Sequence, residues 1–385
     1  MSSSFKLMLT ISTPVEASLS STTYPYRPKS VATKPAGGPS EISLTIKPAP
    51  GETMAGMFQR LAQALGNATI LQIQAFGSVS ASTTTLDAMR KQFGAIDWPT
   101  TWVEGDACSG EPLAGLEIYG IAETEVKRIR IDGRVVGSVY SDGGARHCLL
   151  GGLGARDGSG SRAGQATKAI EELQHALAQA GFNLSDTVRT WFFLDDILSW
   201  YDDFNRARTA IYSHIKFRSG SLPASTGVGA KNPAGTAVAL AAWAVQPLDN
   251  SACAEEVGSP LQCPAPAYGS SFSRAMEVTT PVSRRLTISG TASIAPGGET
   301  SWKDDPRRQV ELTMEVVEAI LQSRNFSFTD ISRATAYFRR SADAWAFTEW
   351  CAKKPENIFP VVVIHCEVCR EDLLFELEAD ATQNY

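Results

Sequence analysis

The chain has 385 residues, which exceeds one compact core and predicts two or three folded units. Apolar residues make up 43% and charged residues 20%, so a wholly disordered chain is excluded. The net charge is −6, which argues against a partner that is nucleic acid or an anionic membrane. No apolar run reaches the roughly 18 residues of a membrane span, and the apolar patch after Lys6 is too short for a signal peptide. Seven scattered cysteines are typical of reduced thiols, so we expect a cytoplasmic protein.

One order of elements recurs three times along the chain. In the first copy we expect strands over residues 41–46 and 69–76 and helices over 53–65 and 84–93. In the second copy a strand region over 126–150, with a turn at Asp132-Gly133, precedes a helix over 162–180, a strand from Thr187 and a helix over 196–215. In the third copy strands over 285–294 and 331–338 alternate with helices over 308–322 and 342–353. Each copy then continues with a proline, a short strand, a loop and a final strand ending in Ala.

The repeats predict an α/β (α+β) fold with mixed sheets and paired helices. The expected organisation is an N-terminal extension over residues 1–40, a diverged repeat 1 over 41–125, repeat 2 over 126–250, a linker over 251–279 and repeat 3 over 280–385. Two helices on one face of each sheet leave the other face free, so we expect the sheets to close into a pseudo-trimeric barrel. The alternative is three unrelated α/β domains. Whether the chain is a monomer or a homo-oligomer stays open.

This pattern resembles the Rid (YjgF-like) superfamily, whose members form trimeric barrels with clefts between subunits. Rid imine and enamine deaminases carry an arginine two residues after the proline of each final segment. Here those positions are Thr101, Ser225 and Val362. The deaminase reaction therefore lacks its main residue in all three copies.

A closer resemblance is to the chorismatase family, which carries Rid-like domains in one chain. The similar stretches are RTW at residues 189–191, PASTGVGA at 223–230, YGSSFSRA at 268–275, ISGTASI at 288–294 and CREDLLFELE at 369–378. The resemblance implies release of pyruvate from chorismate, with Glu376 as the proton donor and no metal or other cofactor. The branch that forms 3-hydroxybenzoate carries Gly and Cys where this chain has Gly290 and Cys369. The implied active cleft lies between repeats 2 and 3.

Side chains alternate between the two faces of the final strand, which places Glu376 on a largely acidic face. Leu374, Glu376, Glu378 and Asp380 share one face of a strand over residues 372–381. An edge strand with a solvated acidic face is one interpretation. The corresponding positions of repeat 2, which we take to be 238, 240 and 242, are apolar, and this favours a specialised cleft. Burial and neighbouring negative charge would keep Glu376 protonated near neutral pH, as an acid catalyst of enol-ether cleavage must be.

A dianion such as chorismate requires cationic partners, and arginine offers a bidentate fork. Arg189 lies between apolar residues of a strand, where an ion pair with Asp195 or Asp196 is the alternative role. Arg274 enters repeat 3 near its boundary with repeat 2, and Tyr268 offers a hydroxyl to a substrate carboxylate. Arg339 follows the central strand of repeat 3, where it is either a substrate contact or half of a solvated basic pair with its neighbour.

Two further residues have competing interpretations. Gly290 interrupts a β-branched strand, which indicates either close approach of a substrate ring or a bulge. Cys369 lies beside Arg370, which predicts a lowered thiol pKa, although simple packing is equally open. The stretch His365-Cys366-Glu-Val-Cys369 lacks a second ligand pair, and no nucleotide motif is present, so we predict no metal and no cofactor. The alternatives to a chorismatase-like enzyme are a Rid-like hydrolase or deaminase of another small carboxylate, and a non-catalytic protein that binds small carboxylates.

Overall fold

The structure is a computed structural model that describes residues 30–33, 38–155 and 158–385. Most of the N-terminal extension predicted over residues 1–40 lies outside the described residues, as do Arg156 and Asp157 of the glycine-rich run. No helix among the described residues combines the length and apolarity needed to cross a bilayer.

The first repeat folds into a five-stranded sheet with two helices on one face. Its elements are β1 (Ser30–Thr33), β2 (Ser40–Ile46), α1 (Met54–Leu65), β3 (Thr69–Gly77), α2 (Val79–Phe93), β4 (Thr100–Val103), β5 (Asp106–Ala107) and β6 (Leu113–Ala122), and the sheet order is β1-β2-β6-β3-β4. The side chain of Thr53 accepts a hydrogen bond from the amide of Gly56, which caps α1 where the sequence predicts its start. Helix α2 begins five residues before the predicted residue 84, because its first two turns are rich in Ser and Thr and carry little apolar periodicity.

The second repeat forms a six-stranded sheet. Its elements are β7 (Lys127–Ile131), β8 (Arg134–Ser141), β9 (Ala145–Leu153), α3 (Arg162–Gln179), β10 (Thr187–Leu194), α4 (Tyr201–Tyr212), β11 (Ala224–Gly229) and β12 (Val238–Pro247), in the order β11-β10-β12-β9-β8-β7. The turn at Asp132-Gly133 joins β7 to β8, and both of its residues have positive φ, as predicted for that hairpin. Helix α4 is shorter than predicted, since a single 3-10 turn occupies the residues after Asp196.

The third repeat forms a seven-stranded sheet. Its elements are β13 (Cys253–Val257), β14 (Ala275–Thr279), β15 (Ser283–Ala292), α5 (Pro306–Ser323), β16 (Ile331–Phe338), α6 (Trp345–Lys353), β17 (Val362–His365) and β18 (Phe375–Asn384), in the order β13-β14-β15-β18-β16-β17-β5. Residues 251–279, which we predicted as a linker, thus contain two strands of this sheet. They join it because β14 pairs antiparallel with β15 and β13 pairs with β14.

The prediction of a closed barrel is wrong, whereas the α+β class is confirmed. The described strands form three separate sheets, and the bridges between repeats 2 and 3 are isolated pairs such as Ala224 with Ser273. Sheets do not close because each places its short parallel strand against a face of the next one: β4 packs on β9 and β12, β11 on β15, and β17 on β6. Apolar side chains from all three sheets meet in one shared core.

The three sheets have a common register that relates their residues. Phe76, Phe193 and Tyr337 are each the last but one residue of a central strand, and each packs into the shared core. Their partners on the final strands are Gly115, Ala239 and Glu376, which are therefore equivalent positions. In repeat 2 the inward face is thus Ala239, Ala241 and Trp243, one residue out of step with the face that we predicted.

Candidate active site

A cavity of about 550 Å³ lies where repeat 2 packs against repeat 3. The backbone amide of Ser225 on β11 donates to Ser289 Oγ at 2.8 Å, and the amide of Gly290 on β15 donates to Thr226 Oγ1 at 3.0 Å. These bonds hold the two sheets together at the base of the cavity. The residues that line it are Tyr201, Arg208, Ser225, Gly227, Tyr268, Ser270, Phe272, Arg274, Gly290, Ala292, Ile294, Cys369, Arg370, Leu373 and Glu376.

Glu376 is a buried carboxyl group with no polar partner. It lies on β18, which is flanked by β15 and β16, so the interpretation as an edge strand with a solvated face is wrong. The residue is 4% exposed, and it makes no hydrogen bond or ion pair with any residue that the structure describes. Burial raises the pKa of Glu376 to about 8, and the charge of Glu378 adds to this effect, while Arg189 and Arg274 oppose it. The group is therefore a neutral acid at pH 7.

Gly290 makes room for this carboxyl group. A Cβ atom on Gly290 would overlap Glu376 Oε1 and lie 2.9 Å from its Cδ. The pairing of β15 with β18 also shifts register between Ile288 and Thr291, which is a bulge at Gly290. The interpretation of the glycine as a bulge is therefore confirmed, and its close neighbour is the Glu376 carboxyl. Contact with a substrate ring stays a prediction.

Two buried guanidinium groups line the cavity without a carboxylate partner among the described residues. Arg208 is 1% exposed; it donates to Asn205 Oδ1 at 2.8 Å and more weakly to Ser225 Oγ at 3.5 Å. Arg274 is 3% exposed, and both of its bonds, at 3.1 and 3.0 Å, go to the carbonyl oxygen of Cys263. Burying a cation without a counter-ion costs folding free energy, and an anionic ligand would offset that cost. The two guanidiniums therefore indicate a site for an anionic ligand.

Sequence reasoning missed Arg208 and Tyr201, both on α4. The buried face of this helix carries Phe204, Arg208 and Tyr212 at intervals of four residues. An arginine in an otherwise apolar helical stripe is the signal that identifies it. Its guanidinium reaches Ser225, one of the positions where the deaminase arginine is missing.

The outer rim of the cavity is aromatic and cationic. The guanidinium carbons of Arg274 and Arg370 lie 5.3 and 5.4 Å from the centre of the Tyr268 ring. Tyr201, Tyr268 and Arg370 also border a wider depression of about 1220 Å³ along α4, so this rim forms the passage into the inner cavity.

Cys369 lies on the cavity wall, but the prediction of a lowered pKa is wrong. Burial and the nearby Glu376 raise the pKa of its thiol to about 12, and Arg370 opposes this only in part. Cys369 is therefore a neutral thiol. Across the described ranges, no three His, Cys, Asp or Glu side chains converge in a way that could hold a metal ion.

Arg189 and Arg339 do not line the cavity. Arg189 is fully buried behind it and donates to Glu378 at 2.6 Å, rather than to the two aspartates considered from the sequence. It reaches Glu378 because a β-bulge in β10 turns its side chain towards the shared core, as the matching bulge in β16 does for Arg333. Arg339 is half-buried just beyond β16, where its backbone pairs with Leu374 and His365.

Comparison with known proteins found no matching family model. A 3-hydroxybenzoate synthase from Streptomyces hygroscopicus is 28% identical over 241 residues, which cover 56% of this chain and 68% of the relative. A chorismatase from the same organism is 26% identical over 247 residues, covering 58% and 69%. A crystal structure of a chorismatase matches 90% of this chain and 99% of its own with a TM-score of 0.64 at 18% identity. The chain is thus related to the chorismatases in sequence and in fold.

Proposed function

We propose that this protein cleaves the enolpyruvyl ether of chorismate and releases pyruvate. One observation carries the proposal: a neutral, unpartnered carboxyl group shares a cavity with two buried guanidiniums that have no carboxylate partner among the described residues. The relatives named chorismatase and 3-hydroxybenzoate synthase supply the substrate class.

Glu376 is the acid of the proposed reaction. Its proton passes to the terminal methylene carbon of the enolpyruvyl group, and the electron pair of the double bond forms the new C–H bond. The adjacent carbon becomes an oxocarbenium centre that accepts water or a ring hydroxyl. After water adds, the hemiketal collapses to pyruvate and the ring alcohol, and a proton returns to Glu376.

The two guanidiniums fit the charge of the substrate. Chorismate carries two carboxylates, and Arg208 and Arg274 supply one fixed cation each. We assign the carboxylate contacts to these two residues, with Tyr268 at the rim as a hydroxyl donor. Bound carboxylates would also add negative charge near Glu376 and favour its protonated form further.

The product branch follows from Gly290 and Cys369. By their resemblance to the branch that forms 3-hydroxybenzoate, these residues favour that product. In this proposal Cys369 acts as a neutral thiol at the wall of the cavity, since its pKa is raised to about 12.

The test is pyruvate release from chorismate, measured with lactate dehydrogenase and NADH, with the aromatic product identified by chromatography. Glu376→Gln should lower turnover by about 10²-fold or more, as expected for loss of a general acid. Glu371→Gln is the matched control, because Glu371 is an exposed carboxylate five residues earlier in the chain. A folded protein that binds chorismate but releases no pyruvate would instead be a carboxylate-binding protein.

A further inference from the structure

Glu378 is the best-bonded carboxylate in the shared core. It is fully buried, and it accepts hydrogen bonds from Arg189 at 2.6 Å, Arg333 at 2.6 Å and Trp191 at 3.1 Å. Thr226 also donates to it. These four donors, two of them guanidiniums, stabilise the charge of the Glu378 carboxylate in place of water.

The two guanidiniums around Glu378 pair with other protein carboxylates and not with Glu376. Arg333 also pairs with Glu117 at 2.7 Å and with Asp380 at 3.0 Å. Burial raises the pKa of Glu117 to about 8, so Glu378 and Asp380 are the carboxylates that balance the two guanidiniums of Arg189 and Arg333. An ionised Glu376 would place a third carboxylate beside this balanced cluster, which is electrostatically unfavourable in a buried site.

Glu376 and Glu378 are close because the strand alternates. They are two residues apart on the same face of β18, which separates their Cα atoms by about 7 Å. Thr226 connects the two carboxyl groups through hydrogen bonds. Its hydroxyl donates to Glu378 and accepts from the amide of Gly290. The Glu376 carboxyl lies against Gly290.

The other groups that face Glu376 do not supply negative charge. They come from β10, α4, the segment before β14 and the connection between β17 and β18: Arg189, Tyr201, Arg208, Tyr268, Arg274, Cys366, Cys369 and Arg370. The arginines favour an ionised Glu376. Burial raises the pKa of the tyrosines and of the thiols, so those groups are neutral. Among the described residues that face Glu376, Glu378 alone favours its protonated form by charge.

We infer that Glu378 is a positioning residue for Glu376: its permanent buried charge keeps the transferable proton on the Glu376 carboxyl in the ligand-free cavity. The inference rests on the proposed function, in which Glu376 delivers that proton. In this scheme Glu376 is already protonated before substrate binds, and Arg189 and Arg333 hold the Glu378 carboxylate in place.

The test follows the protonated carboxyl band of Glu376 by infrared difference spectroscopy during a pH titration without substrate. Subtracting the spectrum of the matching Glu376→Gln variant isolates this band. Glu378→Gln should move the titration downwards by about one pH unit or more. Asp380→Asn is the matched control: Asp380 shares the same strand face but lies two residues further away, so its titration should stay near that of the parent protein.

The Glu376 titration and the release of pyruvate are independent measurements. An unchanged titration in folded Glu378→Gln overturns the inference even if chorismate is cleaved, whereas absent pyruvate release ends the proposed function and leaves the titration readable. In an active enzyme the falling limb of kcat/KM should move by the same amount. If Glu378→Gln does not fold, the Glu376 titration is compared between Arg189→Gln and the double variant Arg189→Gln/Glu378→Gln. In the double variant both members of the Arg189–Glu378 ion pair are neutral, so Arg189 is not left without its partner. If Glu376 titrates at a lower pH in the double variant than in the single variant, the inference is supported. If the two titrations coincide, the inference is overturned.

Discussion

Replacing Glu376 by Gln should stabilise the fold at neutral and alkaline pH while it removes the proposed acid. The pKa of Glu376 is raised from 4.5 to about 8 in the folded protein. Below pH 4.5 both the folded and unfolded states hold the proton, so the group contributes no pH dependence. Between these values only the folded state holds it, and the free energy of unfolding falls by about 1.4 kcal/mol for each pH unit. The cost of keeping an ionisable Glu376 is therefore about 3 kcal/mol at pH 7 and about 5 kcal/mol above pH 8.

Urea unfolding of the parent protein and Glu376→Gln measures this difference directly. The two proteins should be closest in stability at and below about pH 4.5, and the variant should gain progressively as the pH rises to about 8. Glu371→Gln, which changes an exposed carboxylate, should show no such trend. A Glu376→Gln variant whose advantage does not grow with pH would refute the argument that the folded cavity holds this carboxyl protonated.

Three further outcomes follow from the cavity. The kcat/KM for pyruvate release should fall about tenfold per pH unit once the pH rises above about 8, because Glu376 then loses the proton it donates; a profile that is flat to higher pH would contradict its role. Gly290→Ala should lower kcat by at least about tenfold, because the new Cβ displaces the Glu376 carboxyl, while thermal unfolding should report a folded protein. Arg208→Met or Arg274→Met should raise KM by at least about tenfold, whereas the matched change Arg339→Met, outside the cavity, should leave KM unchanged.

Local signals were sufficient to predict most helices and strands. Strand β16 begins and ends at the predicted residues, since Ile331–Phe338 carries the strand-favouring residue types Ile, Thr, Tyr and Phe between two turns. Strand β13 was missed because this edge strand, Cys253–Val257, carries exposed acidic residues and no apolar run. The closed barrel was a wrong inference from sheet faces alone. How sheets meet depends on side-chain packing at their edges, which a strand's own sequence does not contain.

The candidate site was predicted where residues carry their own signal. Glu376 and Gly290 stood out because an acid or a glycine is unusual within an apolar strand, and both lie at the cavity. Arg189 carried the same kind of signal, but its partner is Glu378, 189 residues away in the chain. A buried arginine in a strand indicates a buried anion without revealing whether that anion is a ligand or a carboxylate of the protein.

The shared register of the three sheets bears on how many such sites one chain contains. The positions equivalent to Glu376 are Gly115 and Ala239, so an acid is present at the cleft between repeats 2 and 3 and absent at the two equivalent positions. The space beside Gly115 is occupied: a Cβ there would lie 3.2 Å from Lys47 Cγ and 3.3 Å from Val362 Cγ2. Gly152, in the cleft between repeats 1 and 2, likewise lies against the carbonyl oxygen of Thr100.

A chain built from three equivalent repeats should therefore bind one dianion, not three. Isothermal titration with isophthalate, a stable aromatic dicarboxylate, should give one site per chain. Glu376→Gln should keep that site, since the neutral amide replaces an already neutral acid, and Arg274→Met should weaken it. A stoichiometry of two or three would mean that the packing of Lys47 and Val362 opens to admit ligand, and the assignment of a single active cleft would then fail.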